Sequence, residues 1–246
     1  MLGGWIESEN NLPNTTAQTA WVGDTAKVYG EAAVVRDSAQ VYGAAEVYEQ
    51  ATVADEAQVY DSAQVLGHSH VHCHAQIYKR ASVKGLSSVT EYARVYGKAT
   101  VCDYANVGGR ARVYGRAFVG ASANIVGRSQ VFGSAAVLGN VFLDGQVRVS
   151  AARLDGYTRL TRRAVVAGKG DYLHLSGLYF EVTIQNDGYA TIGCQTKPIA
   201  EWLDLKLEDQ VSTISKVHFQ QMQQILRPLF KRALKRHLAR QAADET

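Results

Sequence analysis

Proline is close to missing from this chain, with three residues in 246 against 22 glycines. A sequence so short of the residue that stiffens irregular loops, and so rich in the one that permits left-handed corners, has many tight, regular turns. Cysteine is equally sparse: Cys73, Cys102 and Cys194 stand alone, with no CxxC spacing. That excludes a disulfide framework or a cysteine-based zinc knuckle and suits a reducing compartment such as the cytoplasm. No apolar run approaches 18 residues, which excludes a transmembrane helix, so no membrane span is expected. The opening MLGGWIESENN lacks a basic and then apolar stretch, so a signal peptide is not expected either. With 46% hydrophobic and 20% charged residues the chain has the composition of a folded protein. None of this names a reaction, and no cofactor is implied.

The net charge of +3 hides an uneven distribution. Residues 1–75 carry ten acids and two bases, whereas residues 76–170 carry four acids and fifteen bases. Residues 171–246 balance at nine of each. In an elongated molecule one end is then acidic and the middle basic, which can orient a partner; the plainer reading is compositional drift on a solvated surface.

A six-residue repeat organises most of the sequence. From Ala33 it runs small-x-aliphatic: Ala33/Val35, Ala39/Val41, Ala45/Val47 and onward. The aliphatic site is Val, Ile or Leu in all twenty hexads from Val35 to Val149, and the small site is Ala or Ser in eighteen from Ala33 to Ala135. Two earlier hexads, Ala20/Val22 and Ala26/Val28, sit one residue out of phase, so one residue is inserted near Ala32. Alternation small-x-aliphatic makes a short strand with alternate side chains turned inward, and the next positions, as in Gly97-Lys98, turn the chain. A strict period of six does not supply the 3.6-residue spacing of an amphipathic helix. Stacked strands joined by corners make a parallel β-helix.

The outward positions set the number of hexads per coil. Tyr42, Tyr60, Tyr78, Tyr96, Tyr114 and Phe132 follow every third aliphatic site, and Gln40, Gln58, Gln76, Arg94, Arg112 and Gln130 precede the same sites. Both sets repeat every eighteen residues, which predicts a triangular prism of about seven coils with six aromatic rings stacked in one line. Tyr29, Tyr48 and Phe118 fall on other faces.

The hexad V-Y-G-x-A-x resembles the hexapeptide repeat of left-handed parallel β-helix proteins, over residues 20–150. The left hand is implied by that resemblance; periodicity does not fix it, and it departs from the usual right-handed crossover. The opening GGWIESENNLPNTTAQTAWVGDTAKVYGEA is similar to hexapeptide-repeat proteins of phages, prophages and enterobacteria, the YdcK-like group. The segment FEVTIQNDGYATIGCQTKPIAEW resembles a small domain appended to such phage proteins. The resemblance implies a homotrimer, and it opens an enzymatic alternative, since many proteins with this repeat are trimeric acyltransferases that use a His general base at a subunit boundary.

An open β-helix exposes a sheet edge at each end and needs caps. Residues 1–19 read as an N-terminal cap, with Trp5 and Ile6 as candidates to cover the first coil, and residues 20–150 as the repeat. Residues 151–170 read as a basic transition segment that keeps no period. Residues 171–246 read as a small α+β domain: Phe180–Gln185 and Tyr189–Gln195 alternate around the hairpin signal Asn186-Asp187-Gly188, and Pro198 opens a short helix carrying Ile199, Trp202 and Leu203. From about Glu208 the spacing Val211, Ile214, His218, Met222, Ile225, Leu229 fits a helix face, which Pro228 should kink or end. Beyond it Leu229, Phe230, Ala233, Leu234 and Leu238 oppose Lys231, Arg232, Lys235, Arg236 and Arg240. This basic amphipathic segment suits an acidic partner, nucleic acid or an anionic membrane or, more plainly, a helix packed on its own or a sister subunit with its charges in water.

Candidate chemistry is thin. Over one hundred residues run in unbroken register, so no extruded loop shapes a pocket, which counts against catalysis. The sharpest local feature is His68-Ser69-His70-Val71-His72-Cys73-His74. His70 and His72 flank inward Val71 and point outward together, as candidate metal ligands or as a general base in acyl transfer. Alternating strand positions lie about 6.5–7 Å apart, so the pair needs converging side chains or a second chain to hold one ion. The His-x4-His pair of the γ-class carbonic anhydrases, which this fold also resembles, is missing. The aromatic line with Arg94 and Arg112 beside it is the most extensive outward feature, either a structural ladder or a protein-binding face. Arg80, Lys98 and Arg116, eighteen apart, add a basic line that makes nucleic acid a further candidate partner. The sequence reads as a non-enzymatic binding or scaffold protein of phage or prophage origin. Its expected partners are further copies of itself and a second protein, with a host factor as one candidate.

Overall fold

The computed structural model describes residues 3–13, 19–30, 34–168, 171–176, 178, 180–204 and 216–244. Valines every sixth residue, with alanines two positions before them, build three parallel sheets that wind into a β-solenoid of about eight turns. Every solenoid strand is two residues long, and from Thr52–Val53 to Gln130–Val131 each pairs with the strands eighteen residues away. One face stacks nine strands from Trp21–Val22 through Gln76–Ile77 to Val165–Val166. The second stacks nine from Trp5–Ile6 to Arg153–Leu154, and the third eight from Val34–Val35 through His70–Val71 to Arg159–Leu160. At the usual strand spacing nine stacked strands span about 38 Å.

The inward rows form one continuous core. Val41, Val59, Ile77, Val95 and Val113, with Ala39, Ala57, Ala75, Ala93 and Ala111, are fully buried, so alternate large and small side chains fill a narrow triangular bore. At two of the three inward serines the hydroxyl finds a local acceptor, Ser69 Oγ donating to Leu66 O at 2.8 Å and Ser87 Oγ to Lys84 O at 2.9 Å, whereas buried Ser129 Oγ has none among the described residues. The corners need left-handed backbone. Gly97 sits at φ +80°, and a Cβ there would lie 2.9 Å from the Gly115 backbone nitrogen. At Asp61 and Asp103 the same conformation falls on an aspartate, one of the few non-glycine residues that tolerate it. The carboxylate repays its position by accepting the next coil's N–H, from Lys79 at 3.0 Å and from Ala121 at 2.8 Å.

The solenoid is longer at both ends than the periodicity suggests. Trp5–Ile6 does not merely cover the first coil; it is a strand, paired in parallel with Lys27–Val28. Ile6 packs on the core, while Trp5 is 53% exposed and leans on Tyr29. The cover is the 3-10 turn Glu9–Asn11, where buried Asn11 donates to Gly30 O at 3.0 Å and Leu12 packs inward. Beyond residue 150 the repeat continues one residue out of phase. Ala152/Leu154, Thr158/Leu160 and Ala164/Val166 carry the pattern, and their strands pair with Ala136–Val137, Phe142–Leu143 and Arg148–Val149. Dropping one residue after Val149 hides that period from a fixed six-residue frame.

Backbone N–H groups along the solenoid donate to the following coil, as Tyr78 does to Val95 O at 3.1 Å. The last coil therefore presents donors with no further coil to receive them. The small domain supplies acceptors from side chains: Thr183 Oγ1 for Arg159 N at 3.2 Å, Gln185 Oε1 for Thr161 N at 2.8 Å, and Asn186 Oδ1 for Val165 N at 3.2 Å. These residues belong to an antiparallel sheet of Tyr172–Leu175, Val182–Gln185, Tyr189–Ile192 and Gln195–Pro198, with the Asn186-Asp187-Gly188 hairpin as expected. The short helix Ile199–Asp204 follows Pro198.

The final helix runs Lys216–Asp244 and continues past Pro228, which does not end it. Leu226 and Phe230 pack on Val182, Ile184, Ala190, Ile199 and Trp202, while Lys231, Arg232, Lys235, Arg236 and Arg240 are exposed. The segment is thus a helix docked on its own chain, tied by Arg240 to Asp171 at 3.2 Å and by His237 Nδ1 to Asn186 O at 3.2 Å. Of the expected helix face, Val211 and Ile214 lie outside the described residues, as do the side chains of His218 and Met222.

Candidate functional site

Two features rise above the regular prism: the aromatic line on one corner and a polar cluster on another. The first begins where each strand of the Gln76 face leaves its valine and turns. Tyr42, Tyr60, Tyr78, Tyr96, Tyr114 and Phe132 stack there, with successive centroids 5.0, 5.0, 4.8, 4.9 and 5.1 Å apart. Ring planes lie within 8° of parallel. Arg148 sits over Phe132 at 5.5 Å, closing the upper end with a guanidinium. Tyr29 and Tyr48 form a separate pair on another corner. Each ladder ring is half-buried between neighbours, which presses water away from the hydroxyls. Burial raises Tyr42, Tyr78 and Tyr96 above the ordinary phenol value and pushes Tyr60 up to about 12, helped by its neighbours Tyr78 and Tyr42.

Beside the ladder, the outward row of the same face is polar. Gln76 Nε2 donates to Gln58 Oε1 at 3.2 Å, and Tyr114 donates to Gln130 Oε1 at 3.3 Å. Arg94 and Arg112 occupy adjacent rungs, paired in register, and both are exposed. Arg80, Lys98 and Arg116 are exposed at the corner just past the rings, again on successive rungs. Among the described residues the coils extrude no loop over this surface, so it is an open wall and not a chamber.

The second feature lies where the His70 face turns toward the Gln76 face. His70 is exposed on its strand and lines the same shallow groove as His72. His72 turns to its own corner: its Nδ1 lies 3.4 Å from Cys73 Sγ, 3.3 Å from Thr90 Oγ1 and 3.9 Å from Asp55 Oδ2. Cys73 beside it in the chain, and Asp55 and Thr90 from the coils on either side, are therefore the groups that His72 meets. Their signal was present in the eighteen-residue period, since Asp55 stands one coil before Cys73. His74 pairs with Glu56 at 2.6 Å and stacks on Tyr92 at 4.7 Å. A shallow groove of about 310 Å³ runs beside this corner, lined by Arg36, Thr52, Ala54, Asp55, His70, His72 and Ser88.

Cys102 and Cys194 belong to neither feature. Cys102 is buried, and burial with the adjacent Asp103 carboxylate pushes its thiol up to about 11. No helix is long and apolar enough to cross a membrane among the described residues. Compared with protein-family models, with curated proteins and with solved structures, the chain gives no match.

Proposed function

We propose that this protein is a non-enzymatic scaffold that presents the tyrosine ladder and its Arg94/Arg112 flank to a protein partner, as a homotrimer of phage or prophage origin. The observation that supports this reading is the stack of six rings in one register on an uninterrupted wall. Rigid aromatic surface with arginine beside it contributes contact area without the ordering cost of flexible side chains. A wall without loops excludes no water from a reacting centre, which disfavours the acyltransferase alternative at His70 or His72. The partner is a host factor in this reading.

The test uses two surface changes that leave the stack intact. Arg94→Glu with Arg112→Glu reverses the charge of the flank, and captured partners from host lysate are compared with those of the wild type. The expected result is loss of the captured protein; retention of the same protein at the same level would remove this face from the function.

Arg80, Lys98 and Arg116 favour a second reading, a nucleic-acid surface, because all three are exposed on successive rungs. Retention on DNA or RNA that falls steeply with salt would support it.

A further inference from the structure

We propose that Asp55, His72 and Cys73 form a binding site for a divalent transition metal ion of the Zn²⁺ type. One carboxylate, one imidazole and one thiol meet on a single corner, with their nearest ligand atoms within 4.8 Å of one another. A Zn²⁺ ion holds nitrogen and oxygen at about 2.0–2.1 Å and sulfur at about 2.3 Å, so tetrahedral ligands stand about 3.3–3.6 Å apart. The Sγ–Nδ1 distance of 3.4 Å falls in that window, and the Nδ1–Oδ2 distance of 3.9 Å needs only a small side-chain adjustment.

The arrangement is a chelate and not a catalytic relay. In a Cys-His-Asp relay the carboxylate holds one ring nitrogen and the thiol meets the other. Here Cys73, Asp55 and Thr90 all face the same atom, His72 Nδ1. With the sulfur and the carboxylate both next to Nδ1, an ion can sit among Asp55, His72 and Cys73.

Comparison of corners within the solenoid separates structure from function. Asp55 accepts the Cys73 backbone N–H at 2.8 Å, which is the bond Asp61 and Asp103 make to their own next coils. The fold thus explains Asp55. It does not explain Cys73, which takes the left-handed corner at φ +58° in a column that has Asp37, Asp55 and Glu91 at the neighbouring rungs. Cysteine has no local hydrogen bond to favour that backbone, as aspartate does. Nor does the fold require His72, whose position holds Thr90 one coil later. On coordination the Cys73 thiol gives its proton to solvent and no electron moves; a water completes the fourth position.

Cobalt(II) titration of the full chain tests the site, because a cobalt–thiolate bond adds a near-ultraviolet charge-transfer band. The wild type is expected to saturate with one ion and to show the band. Cys73→Ser should abolish the band, His72→Gln and Asp55→Asn should each weaken binding at least tenfold, and His70→Ala should change neither. Asparagine can still accept the Cys73 N–H, so Asp55→Asn keeps the corner, and thermal melts of each variant check the fold. A band that survives Cys73→Ser, loss of binding in His70→Ala, or no saturable binding would overturn the assignment. This readout does not depend on partner capture, so its failure leaves the scaffold reading standing.

Discussion

Tyr60 stacks on Tyr78 with ring centroids 5.0 Å apart and planes 1° from parallel, although eighteen residues separate them in the chain. Offset or parallel aromatic pairs contribute about 0.5–1.5 kcal/mol beyond the area they bury. Tyr78 has two such neighbours, so Tyr78→Ser should cost about 1–3 kcal/mol in denaturant unfolding. Tyr104, 67% exposed and outside the ladder, is its control; Tyr104→Ser should stay within about 0.5 kcal/mol of wild type. Equal losses at both positions would show that the rings act singly.

The ladder also makes stability depend on alkaline pH. Burial raises the Tyr60 hydroxyl to about 12, against an ordinary value of 10.0. The folded state therefore holds this proton more tightly than the unfolded chain, so its contribution is complete below pH 10 and is lost as the pH climbs toward 12. Tyr60→Phe removes the titrating group. It should lose less stability than wild type between pH 9 and pH 11, measured as the shift in urea midpoint.

Corner geometry gives a sharper prediction. Gly97→Ala places a Cβ 2.9 Å from the Gly115 nitrogen and forces alanine to a left-handed backbone, which alone costs about 1–2 kcal/mol. The melting temperature should fall. An unchanged melt would mean that the corner relaxes into another conformation.

At the far end of the prism the cap stands on a few side-chain acceptors. Gln185→Leu leaves the part-buried Thr161 N–H without its 2.8 Å partner, a loss of about 1 kcal/mol. It should also promote end-to-end association, read by light scattering, because it weakens the cover over an exposed sheet edge.

Thiol labelling distinguishes the three cysteines. Cys102, buried and held near a pKa of about 11, should react with a disulfide reagent at pH 8 only after Cys73 and Cys194. Prompt modification of Cys102 would contradict its place in the wall.

Much of this architecture was legible in the sequence because the solenoid repeats one local rule. Valine inward, tyrosine at the corner and a period of eighteen fix strand, face and rung together, and so Tyr42 to Phe132 could be aligned before any coordinates. The rest is hidden where the frame slips. Leu154, Leu160 and Val166 continue the core one residue out of phase, which a fixed six-residue frame shows as an aperiodic segment, and Trp5–Ile6 covers the first coil as a strand paired on its edge. Pro228 does not end the helix that contains it. At the His cluster the spacing along the strand places His70 and His72 on one groove, but Asp55 reaches Cys73 from one coil below, a contact between coils that spacing along a single strand does not reveal.

Hydroxyl-radical footprinting of the protein with its captured partner tests the scaffold account most directly. Tyr60, Tyr78, Tyr96 and Tyr114 should lose oxidation on complex formation, while Tyr104 and Tyr157, both exposed on other corners, should keep theirs. Protection at Tyr104 or Tyr157 with the ladder tyrosines unchanged would place the binding surface elsewhere and contradict the account.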